Sequence, residues 1–238
     1  MTSVTTRFLV GIGFAAGMST ALAHDLWVEP TAGGYQLLYG HHPRVSHAGA
    51  RQIAYAPDIV KSVVCLDPAG GRRPATVRDS SPVKIEGDCA ILYALTSSGY
   101  WTKTTAGTKN LKKPEAATLL GSWQSFESVK HIAEWGSGAA KPLGTPLEII
   151  PAENPLTLKD RDKLGVRVLA NGKPVAGAVV SYDGKPRGET GSDGSVNIRI
   201  KHGGLQLIQA ATRTPHIGPE ADEVVQTTAL TFALGAGQ

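Results

Sequence analysis

Short runs of β-forming residues, separated by turn residues, constrain this chain more than any other feature. The clearest run, residues 196–200 (VNIRI), alternates apolar and polar side chains and follows the turn-rich residues 190–194 (TGSDG). Comparable runs occur at 35–39, 62–66, 90–95, 164–169, 178–182, 205–211 and 228–234. The 28 Gly and 15 Pro of the 238 residues leave little room for long helices. Runs of this length and spacing predict antiparallel sheets, so the predicted fold class is mainly all-β.

A Pro-rich segment, residues 142–155, predicts a linker between two β-sandwich domains. The first would span 24–141. The second would span 156–238, where about six or seven short strands in about 80 residues are typical of an immunoglobulin-like or transthyretin-like sandwich. The three-residue spacing of apolar side chains from Trp123 predicts one short helix over 123–135 in the first domain, ended by Gly136.

The first 23 residues have the pattern of a signal peptide. Arg7 precedes the apolar run 8–18, and residues 21–23 (ALA) have the small-x-small form that signal peptidase recognises. We therefore expect cleavage after Ala23, a mature chain that starts at His24, and a periplasmic location. No later stretch approaches the roughly 20 apolar residues of a membrane span, so the mature chain is predicted not to span a membrane.

Cys65 and Cys89 are predicted to form a structural disulfide, because exported cysteine pairs are oxidised more often than they bind metal or carry out redox chemistry. Their spacing of 24 residues suits adjacent strands. The chain has no C-x-x-C motif.

Basic and aromatic residues give no sign of a nucleic-acid partner. The formal net charge is only +4, and the basic clusters are Arg72-Arg73 and a loop with Lys103, Lys109, Lys112 and Lys113. Aromatic residues do not alternate with these lysines, as they do in single-strand binders, so both clusters are interpreted as solvated loops. The four tryptophans are interpreted as core or interface anchors rather than a sugar platform: Trp27, Trp101, Trp123 and Trp135.

Four segments carry a resemblance to a known family. They are residues 24–30 (HDLWVEP), 39–41 (YGH), 142–151 (PLGTPLEIIP), and 171–178 (NGKPVAGA) with 190–194. In these segments the chain resembles exported bacterial proteins with a domain of unknown function that are associated with nickel or cobalt uptake, called NikK-like or NikM-like. The resemblance covers essentially all of the mature chain. It implies a β-sandwich fold and metal handling at the cell envelope.

Four of the seven histidines lie close together at the predicted mature N-terminus: His24, His41, His42 and His47. Clustered imidazoles suit borderline divalent ions, with nickel or cobalt favoured by the resemblance and copper or zinc as alternatives. An N-terminal His24 would chelate an ion through its α-amine and Nδ1 together. Because the amine must first lose its proton, metal affinity should fall in acid.

The partner of His24 is left open between two neighbours. His41 and His42 are adjacent, so in a strand their side chains point to opposite faces and only one joins a given site. Strand parity does not choose between them, whereas the match at 39–41 favours His41. His47 and His131 complete the candidate metal ligands, and Asp25 or Glu29 could orient an imidazole or supply an oxygen ligand.

Several catalytic motifs are absent from the sequence: Gly-x-Ser-x-Gly, the Walker loop and His-Glu-x-x-His. The chain is therefore predicted to be a metal-binding protein and not an enzyme, which captures nickel or cobalt or presents it to a membrane transporter. Two alternatives stay open. One is a structural or interaction module of the cell envelope without metal; the other is a copper-dependent mono-oxygenase, since such enzymes also begin with a chelating His on a β-sandwich.

Overall fold

The computed structural model describes residues 24–45, 51–116 and 118–235. The predicted signal peptide and His47 lie outside them. The described residues form seventeen strands and three single-turn 3₁₀ helices, Pro57–Ile59, Lys113–Glu115 and Pro155–Thr157, so the all-β class is confirmed. In chain order the strands are β1 (Asp25–Thr31), β2 (Gly34–His41), β3 (Arg51–Gln52), β4 (Val60–Leu66), β5 (Thr76–Arg78), β6 (Val83–Glu86), β7 (Ile91–Thr104), β8 (Gly107–Lys109), β9 (Gly121–Ile132), β10 (Glu148–Pro151), β11 (Lys163–Ala170), β12 (Lys173–Pro174), β13 (Val179–Tyr182), β14 (Lys185–Glu189), β15 (Ser195–Arg199), β16 (Gly204–Pro215) and β17 (Glu223–Leu234).

These strands make three sheets. The large sheet has the order β14-β13-β16-β17-β9-β7-β4, with β8 on β7. The small sheet has the order β1-β2-β6-β5, with β3 on β2, and the third sheet has the order β10-β11-β12, with β15 on β11. Most pairs are antiparallel, but β17 runs parallel to β9.

The large sheet is the middle layer of the molecule. Its neighbouring residues Leu207 and Ile208 belong to different core clusters, as do Ala229 and Leu230. Because successive side chains of a strand point to opposite faces, one cluster fills the space toward the small sheet and the other fills the space toward the third sheet. Apolar burial on both faces, worth about 25 cal/mol per Å², holds the three layers together.

The helix predicted over 123–135 is wrong, because this segment is the central strand β9. The last six residues of β9 are all buried, since core lies on both sides of the strand. Side chains three residues apart in a strand alternate between its faces, so Phe126 and Val129 point to different sides of the sheet. The three-residue apolar spacing therefore does not mark one face of a helix in this segment.

The segment predicted as a linker contains the buried strand β10, which pairs with β11. The large sheet includes strands from both sides of residues 142–155, because β17 lies between β9 and β16. The division into two domains stays a prediction about folding units, and the shared sheet provides the means to test it.

A buried ion pair explains part of the segment 142–151. Lys130 Nζ on β9 lies 3.1 Å from Glu148 Oε2, and both side chains are fully buried. The other carboxylate oxygen of Glu148 accepts hydrogen bonds from the backbone N–H groups of Leu143 (2.8 Å) and Gly144 (3.0 Å). Glu148 therefore fixes the turn before β10 against the middle of the large sheet, a structural role.

The predicted disulfide is confirmed, and a second local feature also follows from residue type. Cys65 on β4 is bonded to Cys89, which precedes β7, so the disulfide ties an edge of the large sheet to the connection from the small sheet. Asn171 and Gly172 form a two-residue turn between β11 and β12, with φ values of 50° and 76° that suit an Asn-Gly hairpin. Among the described residues no helix is long and apolar enough to cross a membrane.

Candidate functional site

The strand register brings His24 and His41 together. Asp25 pairs with Gly40 across β1 and β2, and the same register continued by one residue places His24 opposite His41. Cross-strand partners project to the same face of a sheet. The two imidazole rings accordingly lie with their centroids 5.2 Å apart, and both are partly exposed at the rim of the small sheet.

Tyr39 and Glu127 lie beneath this histidine pair. The Tyr39 hydroxyl is 3.1 Å from His24 Nδ1 and donates a hydrogen bond to Glu127 Oε1 on β9 (3.3 Å). These hydrogen bonds connect the rim of the small sheet to the middle of the large sheet. The second oxygen of Glu127, Oε2, is buried and has no hydrogen-bond partner among the described residues.

Glu127 has an unusually high pKa for a carboxylic acid. It is 5% exposed, and burial raises its pKa to about 7, with the hydrogen bond from Tyr39 opposing the shift. A buried carboxylate with a free oxygen is costly unless it is protonated or near a positive charge. A cation bound at the adjacent histidines would offset that cost.

The environment of His24 favours the neutral imidazole. Burial lowers its pKa, the neighbouring His41 lowers it further, and Arg51 has the same effect, while Asp25 opposes them. Neutral imidazole is the form that binds metal ions.

Gly40 explains the sequence Tyr39-Gly40-His41. Its φ is +140°, and a Cβ at this position would lie 2.1 Å from the backbone oxygen of Arg51. Glycine therefore allows β3 to approach β2, where Gly40 pairs with Gln52 and His41 pairs with Arg51. His41 is held between β1 and β3 as a result.

His42 faces away from this pair. It is 4% exposed, its ring packs against Trp27 with centroids 5.2 Å apart, and its backbone N–H donates to Asp25 Oδ2 (2.8 Å). Its Nδ1 accepts from the backbone N–H of Arg44 (3.2 Å), and burial lowers its pKa. The structure brings His41, and not His42, next to His24.

His131 is also separate from the pair. It is 3% exposed, packs against Tyr35, and shares a hydrogen bond between Nδ1 and the Thr231 hydroxyl (3.0 Å); burial lowers its pKa to about 4. His42 and His131 both line a cleft of about 510 Å³, whose lining does not include His24 or His41.

The remaining described histidines and the two candidate oxygen ligands have local partners. His202 Nε2 lies 2.7 Å from Asp183 Oδ2, and His216 packs against Tyr100. Asp25 accepts hydrogen bonds from His42 and Gln209, and Glu29 accepts one from the Trp27 indole.

No group of three or more His, Cys, Asp or Glu side chains within 24–45, 51–116 and 118–235 is arranged to hold a metal ion. The side chains of His24 and His41 alone supply two nitrogen donors. Glu127, which is linked to His24 through the Tyr39 hydroxyl, is not among the candidate ligands predicted from the sequence. It lies 88 positions from Tyr39 along the chain and inside the segment mistaken for a helix, so no local signal could have identified it.

The fold and this site define a class: an all-β protein of three stacked sheets, with a histidine pair where β1 begins and β2 ends. Within that class the chain belongs to a family, because a family model described as a domain of unknown function (DUF4198) matches residues 21–214. The chain is also similar to an uncharacterized protein from Haemophilus influenzae, with 26% identity over 178 residues that cover 73% of this chain and 74% of the relative.

Proposed function

We propose that this protein is exported, is processed after Ala23, and binds a divalent transition-metal ion through His24 and His41. In this proposal it is not an enzyme: the ion, nickel or cobalt before copper or zinc, is cargo that is captured in the periplasm and presented to a membrane transporter. The observation that carries the proposal is the placement of the two imidazoles opposite each other at the rim of the small sheet, 5.2 Å apart.

The donor set supports an ion of the borderline type. Processing would give His24 a free α-amine, so that two imidazoles and one amine would offer three nitrogen donors, which nickel, cobalt, copper and zinc accept. A bound ion would favour the ionised form of Glu127, whose buried carboxyl is linked to the site through the Tyr39 hydroxyl. Arg51 is exposed, and its positive charge lowers the pKa of His24. It therefore limits how much positive charge the site can hold.

Isothermal titration of protein that starts at His24 tests the proposal. We expect binding of nickel, cobalt, copper or zinc tighter than about 10 µM, and a loss of at least tenfold in affinity in His24→Ala and in His41→Ala. His216→Ala removes an imidazole beside Tyr100, away from the site, and is the matched control. Binding weaker than about 10 µM for all four ions, or unchanged binding in His24→Ala, would contradict the proposal.

A second preparation isolates the α-amine. One additional Gly before His24 keeps both imidazoles but moves the free amine away from the ring. We expect this extended protein to bind more weakly than the correctly processed protein, because a two-point chelate on one residue is lost. Equal affinity would show that the chain terminus takes no part in binding.

The position of Tyr39 favours a copper-dependent mono-oxygenase as the second candidate. Its hydroxyl lies 3.1 Å from His24 Nδ1, so an aromatic side chain lies beside the proposed nitrogen donors. Oxidation of a polysaccharide in the presence of copper and a reductant, lost in His24→Ala, would support this candidate over transport.

A further inference from the structure

A cleft of about 510 Å³ lies where β9 ends and the small sheet packs on the large one. Its walls come from the end of β1, the segment after β2, the ends of β9 and β17, the start of β16 and the third 3₁₀ helix. This volume is within the range of about 300 to 1,000 Å³ that is typical of sites for small organic molecules. Neither His24 nor His41 lines the cleft, so it is separate from the proposed metal site.

The walls of the cleft are mainly apolar. Val28 and Ile132 are fully buried, and Leu156 and Leu205 are partly buried. A ligand with an apolar body would remove hydrocarbon surface from water on both sides of the contact. The walls therefore favour a ligand that carries such a body.

Two buried imidazoles line the cleft, and each leaves one ring nitrogen unused. His42 is 4% exposed and His131 is 3% exposed. Both rings use Nδ1 for a hydrogen bond within the protein, and neither Nε2 has a hydrogen-bond partner among residues 24–45, 51–116 and 118–235. Buried polar atoms are normally hydrogen-bonded. The two Nε2 atoms are thus available to a molecule in the cleft.

The hydrogen bond between Arg44 and His42 defines which nitrogen of the His42 ring carries the hydrogen. The backbone N–H of Arg44 donates to His42 Nδ1 (3.2 Å). Because an N–H group can only donate, Nδ1 has a free lone pair, and the hydrogen of the neutral ring is on Nε2. The ring is also held by its edge contact with Trp27, with centroids 5.2 Å apart. His42 therefore offers the cleft a hydrogen-bond donor in a fixed position.

One carboxylate and one guanidinium line the cleft, those of Glu29 and Arg44, and neither forms an ion pair among the described residues. They are held on different walls. Glu29 Oε1 accepts a hydrogen bond from the Trp27 indole on β1 (3.0 Å), whereas Arg44 Nη2 would lie 3.7 Å from a Cβ at Gly204, where β16 begins. Burial lowers the pKa of His42, while Glu29 raises it and Arg44 lowers it, so both charges act on this ring.

Two further carboxylates, those of Asp25 and Asp183, raise the pKa of His42 but do not line the cleft. Asp25 accepts hydrogen bonds from His42 N and Gln209 Nε2, and Asp183 Oδ2 lies 2.7 Å from His202 Nε2. With three carboxylates near the His42 ring, a ligand that carries only negative charge is disfavoured. A ligand with one ammonium and one carboxylate complements both of the charges that line the cleft.

We propose that the cleft binds a zwitterionic α-amino acid with an apolar side chain. Its carboxylate accepts hydrogen bonds from the Arg44 guanidinium and from His42 Nε2, and its ammonium pairs with Glu29. The apolar side chain of the ligand lies against the walls formed by Val28 and Ile132. This proposal goes beyond metal binding and does not require it.

Isothermal titration with L-leucine tests the proposal, using protein that starts at His24 and no added metal. We expect a Kd below about 100 µM. Three related compounds each lack one recognised part: isocaproate lacks the amine, isoamylamine lacks the carboxylate, and glycine lacks the apolar side chain. Each should bind at least about tenfold more weakly than leucine. Leucyl-leucine, in which the two charges stand on different residues, should also bind more weakly, and tighter binding of this dipeptide would overturn the assignment to a free amino acid.

Two charge-removing variants test the assigned contacts. Glu29→Gln and Arg44→Gln change exposed side chains, and Gln at 29 keeps an acceptor for the Trp27 indole, so both variants should fold. Each should weaken leucine binding at least about tenfold. Glu29→Gln should not weaken the binding of isocaproate, and Arg44→Gln should not weaken that of isoamylamine. A merely structural effect of either substitution would not reproduce this pattern.

The matched controls are Glu115→Gln and Lys109→Gln, which remove exposed charges near the opposite end of β9 and should leave leucine binding unchanged. A chelator and His24→Ala should also have no effect, which separates this result from the metal titration. Leucine binding weaker than about 100 µM, equal binding of isocaproate or isoamylamine, or unchanged leucine binding in Glu29→Gln and Arg44→Gln would overturn the proposal.

Discussion

At the scale of single residues, Glu127 and His131 show how one buried strand can contain two titratable groups with opposite effects on stability. Both side chains point from β9 toward the small sheet, and burial shifts both pKa values: that of Glu127 rises from 4.5 to about 7, and that of His131 falls from 6.5 to about 4. In each case the fold favours the neutral form.

The signs of the two contributions follow from proton linkage. The folded state holds the Glu127 proton more tightly than the unfolded state, so this group lowers stability as the pH rises from 4.5 to about 7. The unfolded state binds a proton at His131 more readily, so this group lowers stability as the pH falls from 6.5 to about 4. Each shift corresponds to about 3 kcal/mol, and over the shared range the two slopes oppose each other.

Glu127→Gln should reveal this hidden pH dependence. In metal-free protein we expect the free energy of unfolding at pH 8, relative to pH 5, to rise by about 2 to 3 kcal/mol compared with the wild type, because the buried charge is gone. Urea unfolding at the two pH values measures the change. Glu134→Gln alters an exposed carboxylate just after β9 and should leave the pH profile as it is. An unchanged profile in Glu127→Gln would show that Glu127 is not held neutral by the fold.

At the level of strands, the stability of β9 depends on the buried ion pair between Lys130 and Glu148. Burial lowers the pKa of Lys130. Glu148 opposes this shift, because its carboxylate favours the charged form of the amine. Removing one member leaves an uncompensated charge in the core, whereas removing both does not.

Lys130→Met should therefore destabilise the protein by about 3 to 5 kcal/mol, and Lys130→Met with Glu148→Gln should lose clearly less. Gln at 148 retains an acceptor for the backbone N–H groups of Leu143 and Gly144. Urea unfolding of the two single variants and the double variant forms a double-mutant cycle. Strictly additive losses would mean that the two side chains contribute independently.

Most strands are predictable from the sequence, including the runs in β7, β16 and β17 that are buried on both faces, whereas β9 is not. β15 alternates between exposed and buried positions, and its run was recognised from that pattern. In β9 apolar side chains fall three residues apart, on alternate faces of the strand, and this spacing imitates that of a helix. The disulfide and the Asn171-Gly172 turn are local features and were predictable.

The candidate site was also only partly predictable from the sequence. His24 and His41 were recognised from their residue type and their place in the sequence. The link from His24 through Tyr39 to Glu127 depends on the packing of the small sheet on the large one, which no local pattern specifies. The position of β17 between β9 and β16 is likewise a long-range pairing.

At the scale of the whole molecule, the large sheet joins both halves of the chain. β9 and β17 share ten paired positions, from Glu223 with Trp123 to Phe232 with Ile132, across the segment predicted to be a linker. Separation of the two halves would expose two central strand edges and both core clusters, so the halves should unfold together.

Differential scanning calorimetry of the protein starting at His24 should accordingly show one transition, with equal calorimetric and van't Hoff enthalpies. Residues 24–141 expressed alone, which lack β17, should not give a cooperative transition. Two separate transitions in the full protein would instead support the division into domains at 142–155.

The central position of β17 in the large sheet also affects how the newly synthesised chain folds. The strand that occupies the centre of the large sheet is the last of the seventeen to be synthesised, so the nascent chain carries a gap between β9 and β16 until residues 223–234 have been made. Until then the incomplete sheet has two open edges that can pair with other chains. The protein therefore completes its fold only after translation of β17, and a chaperone that shields strand edges would be of most use to it during that interval.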